Sequence, residues 1–297
     1  MTERSETVAR QSPADPRLAR LSLNQRTIPR WSLPEVVEGC AWAGIGAVGL
    51  WREPVAEYGL ARTAQLMKDA GLRVSSLCRG GFFTAPDPVE WKSAIEENLR
   101  ALDETAELRA ECLVLVVGGL APGSTDLAGA RQRVLEALSV LAPQARERGV
   151  RLALEPMHPM FCADRAVVST LRQAVQLAEA VEPGQAAGTL DHPTVGVVVD
   201  AYHVWWDPDI WRAITLAGRR ILSFQVSDWV LPLAAEVLLA RGMVGDGCIG
   251  LRELRAAVDA AGYRGDIEVE IFNQGIWDTD GDLVLATLAQ RYLEHVL

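Results

Sequence analysis

Acidic and amide side chains end four apolar segments in the second half of the chain. Glu155 closes the run LALE, Asp200 closes VGVVVD, Gln225 lies in SFQV and Glu270 lies in IEVEIF. An unpaired carboxylate among apolar side chains is very costly, so these groups require a compensating positive charge. The repetition of this pattern on four successive segments predicts that they share one site.

The positive charge that these acids need is missing from their own segments. The segments contain no lysine, and Arg219, Arg220 and Arg241 lie before or beyond the segment ends. A divalent cation bound by Glu155, Asp200, Gln225 and Glu270 would supply the charge. Ligation by oxygen alone suits a hard cation, so we expect one Mn²⁺ ion, with Mg²⁺ or Co²⁺ as alternatives. The competing interpretation is that each acid is paired separately, with an arginine or with backbone amides.

Two carboxylates beside a cation-bound ketone can move protons. A cation that chelates a carbonyl and a neighbouring hydroxyl acidifies the adjacent carbon, because it stabilises the enediolate oxyanion. We therefore expect Glu155 and Glu270 to be the catalytic pair, one removing a proton and the other returning it. Return to the opposite face gives epimerisation, return to the neighbouring carbon gives isomerisation, and loss of a β-hydroxyl gives dehydration. The residue types are the same for all three outcomes, so the residues alone do not choose among them.

Other polar and aromatic residues follow the predicted strands and are candidates for substrate contacts. His158 and His203 each stand three residues after a predicted metal ligand, which favours hydrogen bonding to substrate hydroxyls. Tryptophan rings often stack on the apolar faces of sugars, although core packing explains any single one equally well. The predicted substrate-binding residues are His158, His203, Asp228, Trp229, Asn24, Trp51 and Arg79.

Eight predicted repeats of a strand and a helix position these residues. Aliphatic or β-branched runs predict strands at residues 20–23, 47–51, 73–77, 112–117, 151–154, 196–199, 221–226 and 266–271. Several runs are apolar on both faces, as is typical of a parallel sheet covered by helices. Eight repeats match a closed (β/α)₈ TIM barrel of the α/β class, whose active site lies at the carboxyl ends of the strands. A doubly wound sheet is disfavoured, because no GxGxxG motif follows the first strand.

The chain is predicted to form one domain. Residues 17–297 form the barrel, and residues 1–16 form a polar, mobile arm. Ser32 and Asp87 precede helices as N-caps, and Gly44 and Gly71 follow helices as stop signals. The long segment at residues 227–250 is predicted to be either a lid over the site or a contact between subunits.

The composition excludes several functions. The 29 basic and 39 acidic residues give a formal charge of −10, which repels phosphate backbones and anionic lipid surfaces. Neither nucleic acid nor a membrane is therefore an expected partner. No apolar run reaches the roughly 18 residues that span a bilayer, and the first residues lack the apolar segment of a signal peptide. Five cysteines without CxxC spacing fit the reducing cytoplasm.

The chain resembles the xylose isomerase-like TIM barrel superfamily, which includes the sugar phosphate isomerases and epimerases, over about residues 17–297. The segments that carry the resemblance contain Glu155 in LALEP, Asp200 and His203 in DAYH, Gln225 and Asp228 in QVSD, Gly245 in GDG and Glu270 in EVEIF. The resemblance implies that Glu155 and Glu270 bind the metal and also move protons. The family usually has histidine at the position of Gln225 and an arginine a few residues later. Glutamine in this place predicts an oxygen-rich site that binds metal less tightly.

These observations predict a divalent-metal-dependent isomerase or epimerase that acts on a sugar, a cyclitol or a related polyol ketone. The alternative is a metal-dependent lyase or dehydratase with a similar substrate. The resemblance also implies a homodimer or a homotetramer. A DNA endonuclease of the same superfamily is disfavoured, because its chemistry needs several metal ions and a basic surface, whereas this acidic chain has only four histidines. A barrel that only binds a polyol is disfavoured, because all three carboxylates are present.

Overall fold

The computed structural model describes residues 15–182 and 192–297, so residues 1–14 of the predicted arm lie outside the described residues. The strands are β1 (Leu21–Asn24), β2 (Ala47–Trp51), β3 (Arg73–Gly81), β4 (Leu113–Val116), β5 (Leu152–Leu154), β6 (Val195–Asp200), β7 (Ile221–Val226), β8 (Asp228–Trp229), β9 (Arg241–Gly242) and β10 (Ile267–Val269). Eight of them form a closed barrel in the order β1-β10-β7-β6-β5-β4-β3-β2, and every pair in it is parallel. The predicted TIM barrel is confirmed.

Helices alternate with the barrel strands along the chain. They are α1 (Leu33–Ala43), α2 (Arg52–Tyr58), α3 (Leu60–Ala70), α4 (Pro88–Leu108), α5 (Leu127–Glu147), α6 (Leu171–Val181), α7 (Ala201–Val204), α8 (Ile210–Ala217), α9 (Leu251–Ala260), α10 (Gln274–Trp277) and α11 (Gly281–His295). In the described part of the chain, none of these helices combines the length and the apolar character needed to cross a membrane.

Side-chain caps fix the beginnings of helices where the sequence predicted them. The backbone N–H of Ser32 donates to Glu35 at 2.7 Å before α1. The Asp87 carboxylate accepts from the amides of Val89 and Glu90 at 2.8 and 3.0 Å, which satisfies two free donors of α4. Gly44 ends α1 with φ of 72°, a left-handed conformation that favours glycine. Capping therefore sets where each of these helices meets its strand.

The barrel has an outer apolar core and a mixed interior. The outer core joins the strands to the helices. A smaller apolar cluster consists of Trp51, Cys78, Cys112, Val114, Ala153, Val198 and Leu222. Val198 shares a face of β6 with Asp200, because side chains alternate along a strand, so this cluster lies inside the barrel. The interior also contains fully or nearly fully buried polar residues, which are Ser22, Asn24, Ser75, Ser76, Gln225 and Glu268.

The segment between β7 and α9 contains a hairpin that the sequence analysis did not predict. Strand β8 pairs antiparallel with β9, with Asp228 opposite Gly242 and Trp229 opposite Arg241. The segment predicted as a lid or a subunit contact therefore has its own two-stranded sheet. This sheet returns the chain to the carboxyl ends of the barrel strands.

Candidate active site

The four predicted metal ligands lie at the carboxyl ends of neighbouring strands. Glu155 follows β5, Asp200 ends β6, Gln225 lies in β7, and Glu270 follows β10. All four are buried, Asp200 and Gln225 completely. Strand pairing sets Asp200 beside Gln225, and Gln225 beside Glu268. The structure thus brings the four residues to one end of the barrel, while their role as ligands stays a prediction.

A buried arginine lies among these acids. The guanidinium Nη2 of Arg241 lies 2.8 Å from Asp200 Oδ2 and 3.1 Å from Glu270 Oε2. Its Nη1 donates to Ser227 Oγ at 3.1 Å. The expectation that Arg241 lies beyond the strand ends is wrong, because the β8–β9 hairpin returns it to the barrel.

His203 lies within the same group of side chains. Its Nε2 is 3.8 Å from Asp200 Oδ2, 4.0 Å from Glu155 Oε1 and 3.1 Å from Arg241 Nη2. The backbone N–H of His158 donates to its Nδ1 at 3.3 Å. Burial lowers the pKa of His203 to about 3, so the imidazole is neutral. One ligand atom from each of Glu155, Asp200 and His203 lies within 4.8 Å of the others, a spacing that suits one cation.

A fourth acid, Glu268, lies inside the barrel beneath the predicted ligands. Its Oε2 accepts from the hydroxyls of Ser75 and Ser76 at 2.7 and 2.8 Å. Its Oε1 accepts from Asn24 Nδ2 at 2.6 Å and from Gln225 Nε2 at 3.2 Å. The sequence analysis missed Glu268. The alternation in IEVEI could have revealed it, because it places Glu268 and Glu270 on the same face of the strand.

Asn24, a predicted substrate contact, is instead used to hold the acids. Its Nδ2 donates to Glu268 and also to Glu270 Oε1 at 2.9 Å. Its Oδ1 accepts from the indole Nε1 of Trp51 at 2.9 Å and from the amide of Arg26 at 3.0 Å. The polar atoms of Asn24 thus all have partners inside the protein, while its role as a substrate contact stays a prediction.

The candidate site contains more buried acids than buried basic side chains. Glu155, Asp200, Glu268 and Glu270 are all buried, and Arg241 is the buried guanidinium that contacts this group. Burial, followed by the charge of Glu270, raises the pKa of Glu155 well above its ordinary value. Burial also raises the pKa of Glu270, although Arg241 opposes the shift. A divalent cation would relieve this excess of negative charge.

Two buried oxygens of the candidate site have no hydrogen bond from any described residue. They are Gln225 Oε1 and Asp200 Oδ2, although the latter lies within ion-pair distance of Arg241. Leaving a buried acceptor unsatisfied costs about 1–3 kcal/mol. Amide and carboxylate oxygens are suitable ligands for hard divalent cations. The residues present therefore fit such an ion.

A cavity of about 60 Å³ lies beside these acids. Its lining includes Trp51, Arg79, Glu155, His203, Arg241 and Glu270. Three of the seven predicted substrate contacts, Trp51, Arg79 and His203, thus face this space. The Arg79 guanidinium lies 4.7 Å from the centre of the Phe82 ring and forms no hydrogen bond or ion pair with a described residue. Arg79 therefore offers an uncompensated positive charge at the mouth of the barrel.

Three other predicted substrate contacts do not line this cavity. Asp228 Oδ1 accepts from the amides of Trp229 and Ile249 at 2.9 and 3.0 Å, and its Oδ2 accepts from the amide of Gly245 at 2.9 Å. The His158 ring packs against the Trp229 ring, with centroids 5.0 Å apart. The structure therefore gives Asp228 a role in holding the loop, and places His158 and Trp229 in an aromatic cluster behind the site.

A larger cavity, of about 730 Å³, lies at the amino ends of the strands. Two arginines in its lining, Arg20 and Arg73, form ion pairs with Asp259 and Asp266 at 2.8 and 2.5 Å. In TIM barrels the catalytic loops gather at the opposite, carboxyl end. We therefore place the active site at the smaller cavity.

Two curated relatives have the same described activity. The chain is 28% identical to a 3-dehydroshikimate dehydratase of Pseudomonas putida over 253 residues, which is 82% of this chain and 36% of the relative. It is 29% identical to a 3-dehydroshikimate dehydratase of Pseudomonas aeruginosa over 279 residues, which is 89% of this chain and 41% of the relative. The chain thus spans about two fifths of the length of these proteins.

Solved structures share the architecture. A Sinorhizobium meliloti 1021 protein, SMc04130, is 44% identical with a TM-score of 0.88, and the match covers 94% of this chain and 98% of that one. A D-psicose 3-epimerase is 17% identical with a TM-score of 0.74, covering 93% and 99%, a likeness that shows the fold alone. The family model described as xylose isomerase-like TIM barrel matches residues 37–293. The chain therefore belongs to the xylose isomerase-like TIM barrel family.

Proposed function

We propose that the protein is a metal-dependent dehydratase, a lyase that removes water from a polyhydroxylated cyclic ketone of the 3-dehydroshikimate class. The observation that carries this proposal is the similarity of nearly the whole barrel to two 3-dehydroshikimate dehydratases. The isomerase or epimerase activity has weaker support, because the D-psicose 3-epimerase is only 17% identical. The buried acids at the mouth are compatible with both activities.

Glu155, Asp200, Gln225 and Glu270 would hold the divalent cation. Their oxygens are hard ligands, and the free Oε1 of Gln225 would gain a partner. Mn²⁺ is the ion we propose, with Mg²⁺ or Co²⁺ as alternatives. When bound, the cation would draw electron density from the substrate ketone and make the neighbouring carbon more acidic.

Glu155 and Glu270 are the proposed proton-transfer pair. In an elimination, one carboxylate removes the proton from the carbon beside the ketone, and the second group protonates the departing hydroxyl. A carbon–carbon double bond forms, the C–O bond breaks, and water leaves.

Arg79 would bind an anionic group of the substrate. Its guanidinium faces the cavity without an acidic partner among the described residues. Guanidinium and carboxylate groups pair through two parallel hydrogen bonds. The substrate we propose is therefore a keto acid rather than a neutral sugar.

The proposal is tested by incubating chelator-treated protein with 3-dehydroshikimate in deuterated water, with and without Mn²⁺. We expect loss of one molecule of water per turnover, detected by mass spectrometry, only when Mn²⁺ is present. Deuterium incorporation without loss of water would show an isomerase or epimerase instead. Full activity without metal would contradict the role of the cation.

A further inference from the structure

Glu268 is a buried carboxylate whose partners are all neutral. It is 1% exposed and accepts four hydrogen bonds, from Ser75, Ser76, Asn24 and Gln225. No ion pair joins Glu268 to an arginine or lysine in the described ranges. A buried carboxylate is costly unless it accepts hydrogen bonds, and these four donors form hydrogen bonds to both oxygens of Glu268. The carboxylate is therefore fixed in one orientation.

This fixed carboxylate decides how the amide of Gln225 is turned. Gln225 lies in register between Asp200 on one side and Glu268 on the other. The carboxylate oxygens of Glu268 act as acceptors, and the amide of Gln225 presents its nitrogen to Glu268 Oε1, at 3.2 Å. The amide oxygen of Gln225, Oε1, then points away from Glu268 and has no hydrogen-bond partner among the described residues.

Glu268 also acts on a second predicted ligand through Asn24. The same Nδ2 that donates to Glu268 donates to Glu270 Oε1 at 2.9 Å. A Cβ atom at Gly49 would lie 2.5 Å from the Glu268 carboxylate, so glycine at this place leaves room for the acid. The interior of the barrel is therefore shaped around Glu268.

We propose that Glu268 is a positioning residue for the cation site. It holds the Gln225 amide with its oxygen free for a hard divalent cation, and it steadies Glu270 through Asn24. Where the family usually has histidine, this chain would thus offer the amide oxygen of Gln225 as a ligand, in an orientation that Glu268 fixes. This inference rests on the proposed function, because it assumes that the site binds a divalent cation.

The test compares Mn²⁺ binding by the chelator-treated wild type and by Glu268→Gln, using isothermal titration calorimetry without substrate. The variant keeps the shape of the side chain, but its amide no longer requires a donor from Gln225. We expect the Kd for Mn²⁺ to rise by about tenfold or more, as for other residues that orient metal ligands. Glu182→Gln is the control, because it also replaces a buried acid but lies away from the site. It should leave the Kd unchanged.

A double-mutant cycle shows whether the effect passes through Gln225. In a Gln225→Ala background, Glu268→Gln should have a much smaller effect on the Kd than in the wild type. If Glu268→Gln does not fold, Ser75→Ala and Ser76→Ala serve instead, because each removes one hydrogen bond to Glu268 and should weaken Mn²⁺ binding by a smaller factor. An unchanged Kd in Glu268→Gln, or an equal effect in both backgrounds, would overturn this inference alone. Absence of Mn²⁺ binding by the wild type would overturn the proposed cation site as well.

Discussion

Glu155 and Glu270 are buried acids whose pKa values are raised, and the proposed reaction needs one of them as a base and the other as an acid. Each reaches the cavity of about 60 Å³ at the mouth. The charge of Glu270 contributes to the raised pKa of Glu155, so a change in one acid alters the protonation of the other. The two residues are therefore best treated as a coupled pair.

Replacing either acid by glutamine should stop proton transfer while preserving the fold. We expect Glu155→Gln and Glu270→Gln to lower the rate of deuterium incorporation from solvent by at least about a hundredfold, because general acid–base groups typically contribute that much. The rate is measured by mass spectrometry at saturating Mn²⁺, with metal occupancy checked separately. Glu111→Gln, at an exposed acid on the other end of the barrel, is the control. Unchanged exchange in both variants would remove the pair from the mechanism.

The positions of the four predicted ligands follow from the sequence, because each is the polar residue that ends an apolar strand. Glu268 was missed because it lies within a strand rather than at its end. Arg241 was placed wrongly, because its approach to Asp200 depends on a hairpin and not on the barrel repeat. The periodicity of strands and helices predicts the side chains that lie at the ends of the barrel strands. It gives no information on side chains that a loop brings to the site.

At the scale of elements, the β8–β9 hairpin carries Arg241 into the active site, and Asp228 holds the hairpin in place. Asp228 is 1% exposed and accepts three hydrogen bonds from loop amides. The sequence showed a Gly-Asp-Gly turn here, but strands of two residues are too short to produce a pattern of alternation. The hairpin could therefore be found only in the structure.

Removing the Asp228 carboxylate should free the loop. We expect Asp228→Ala to make the segment between β8 and β9 cleavable by protease at a concentration that leaves the wild type intact, and to lower the unfolding free energy by about 3 kcal/mol, because hydrogen bonds to a charged group are lost. Asp246→Asn, at an exposed acid of the same loop, is the control. Equal protease resistance of Asp228→Ala and the wild type would show that the hairpin is held by other contacts.

At the scale of the whole molecule, a partly buried ion-pair network joins α5, the end of α6 and the start of β7. Glu182, which follows α6, contacts Arg146 of α5 at 2.9 Å and Arg220, just before β7, at 3.2 Å. It also accepts from the amide of Val195 at 3.2 Å. Burial alone would raise the pKa of Glu182, but these hydrogen bonds outweigh it and hold the pKa below its ordinary value.

This network makes stability depend on pH in a defined direction. A lowered pKa in the folded state means that the unfolded state takes up the proton first, so the stabilisation is present above the ordinary pKa and is lost as pH falls through the folded value. We expect Glu182→Gln to cost about 3 kcal/mol at neutral pH, since it leaves Arg220 without its acid. The difference in unfolding free energy between Glu182→Gln and the wild type should become smaller below about pH 4, as measured by urea unfolding. A difference that is constant down to pH 3 would contradict the assignment.

The eight-strand barrel was predictable from the sequence because the strands are short apolar runs at regular intervals and the helices carry side-chain caps. The structure moves strand boundaries by a few residues, and β3 continues to Gly81 where the sequence predicted an end at residue 77. Arg79 therefore lies within the strand. Boundaries are weakly encoded, because strand ends depend on pairing with neighbours and not on local sequence.

The volume of the cavity has a consequence for how fast the enzyme can work. The cavity measures about 60 Å³, whereas pockets for small organic ligands usually measure about 300–1,000 Å³. Leu238 lines this space, and the Tyr202 hydroxyl donates to the carbonyl of the neighbouring Val237 at 2.8 Å. We therefore expect this segment to move when the substrate enters.

Product exit should then limit kcat, so kcat should fall as sucrose raises the viscosity of the solvent. Tyr202→Phe, which loses the hydroxyl, should be less sensitive to viscosity than the wild type in stopped-flow assays. A wild-type kcat that does not change with viscosity would show that bond breaking is slower than opening. We thus expect the opening of the segment at Val237 and Leu238, rather than bond breaking, to limit turnover.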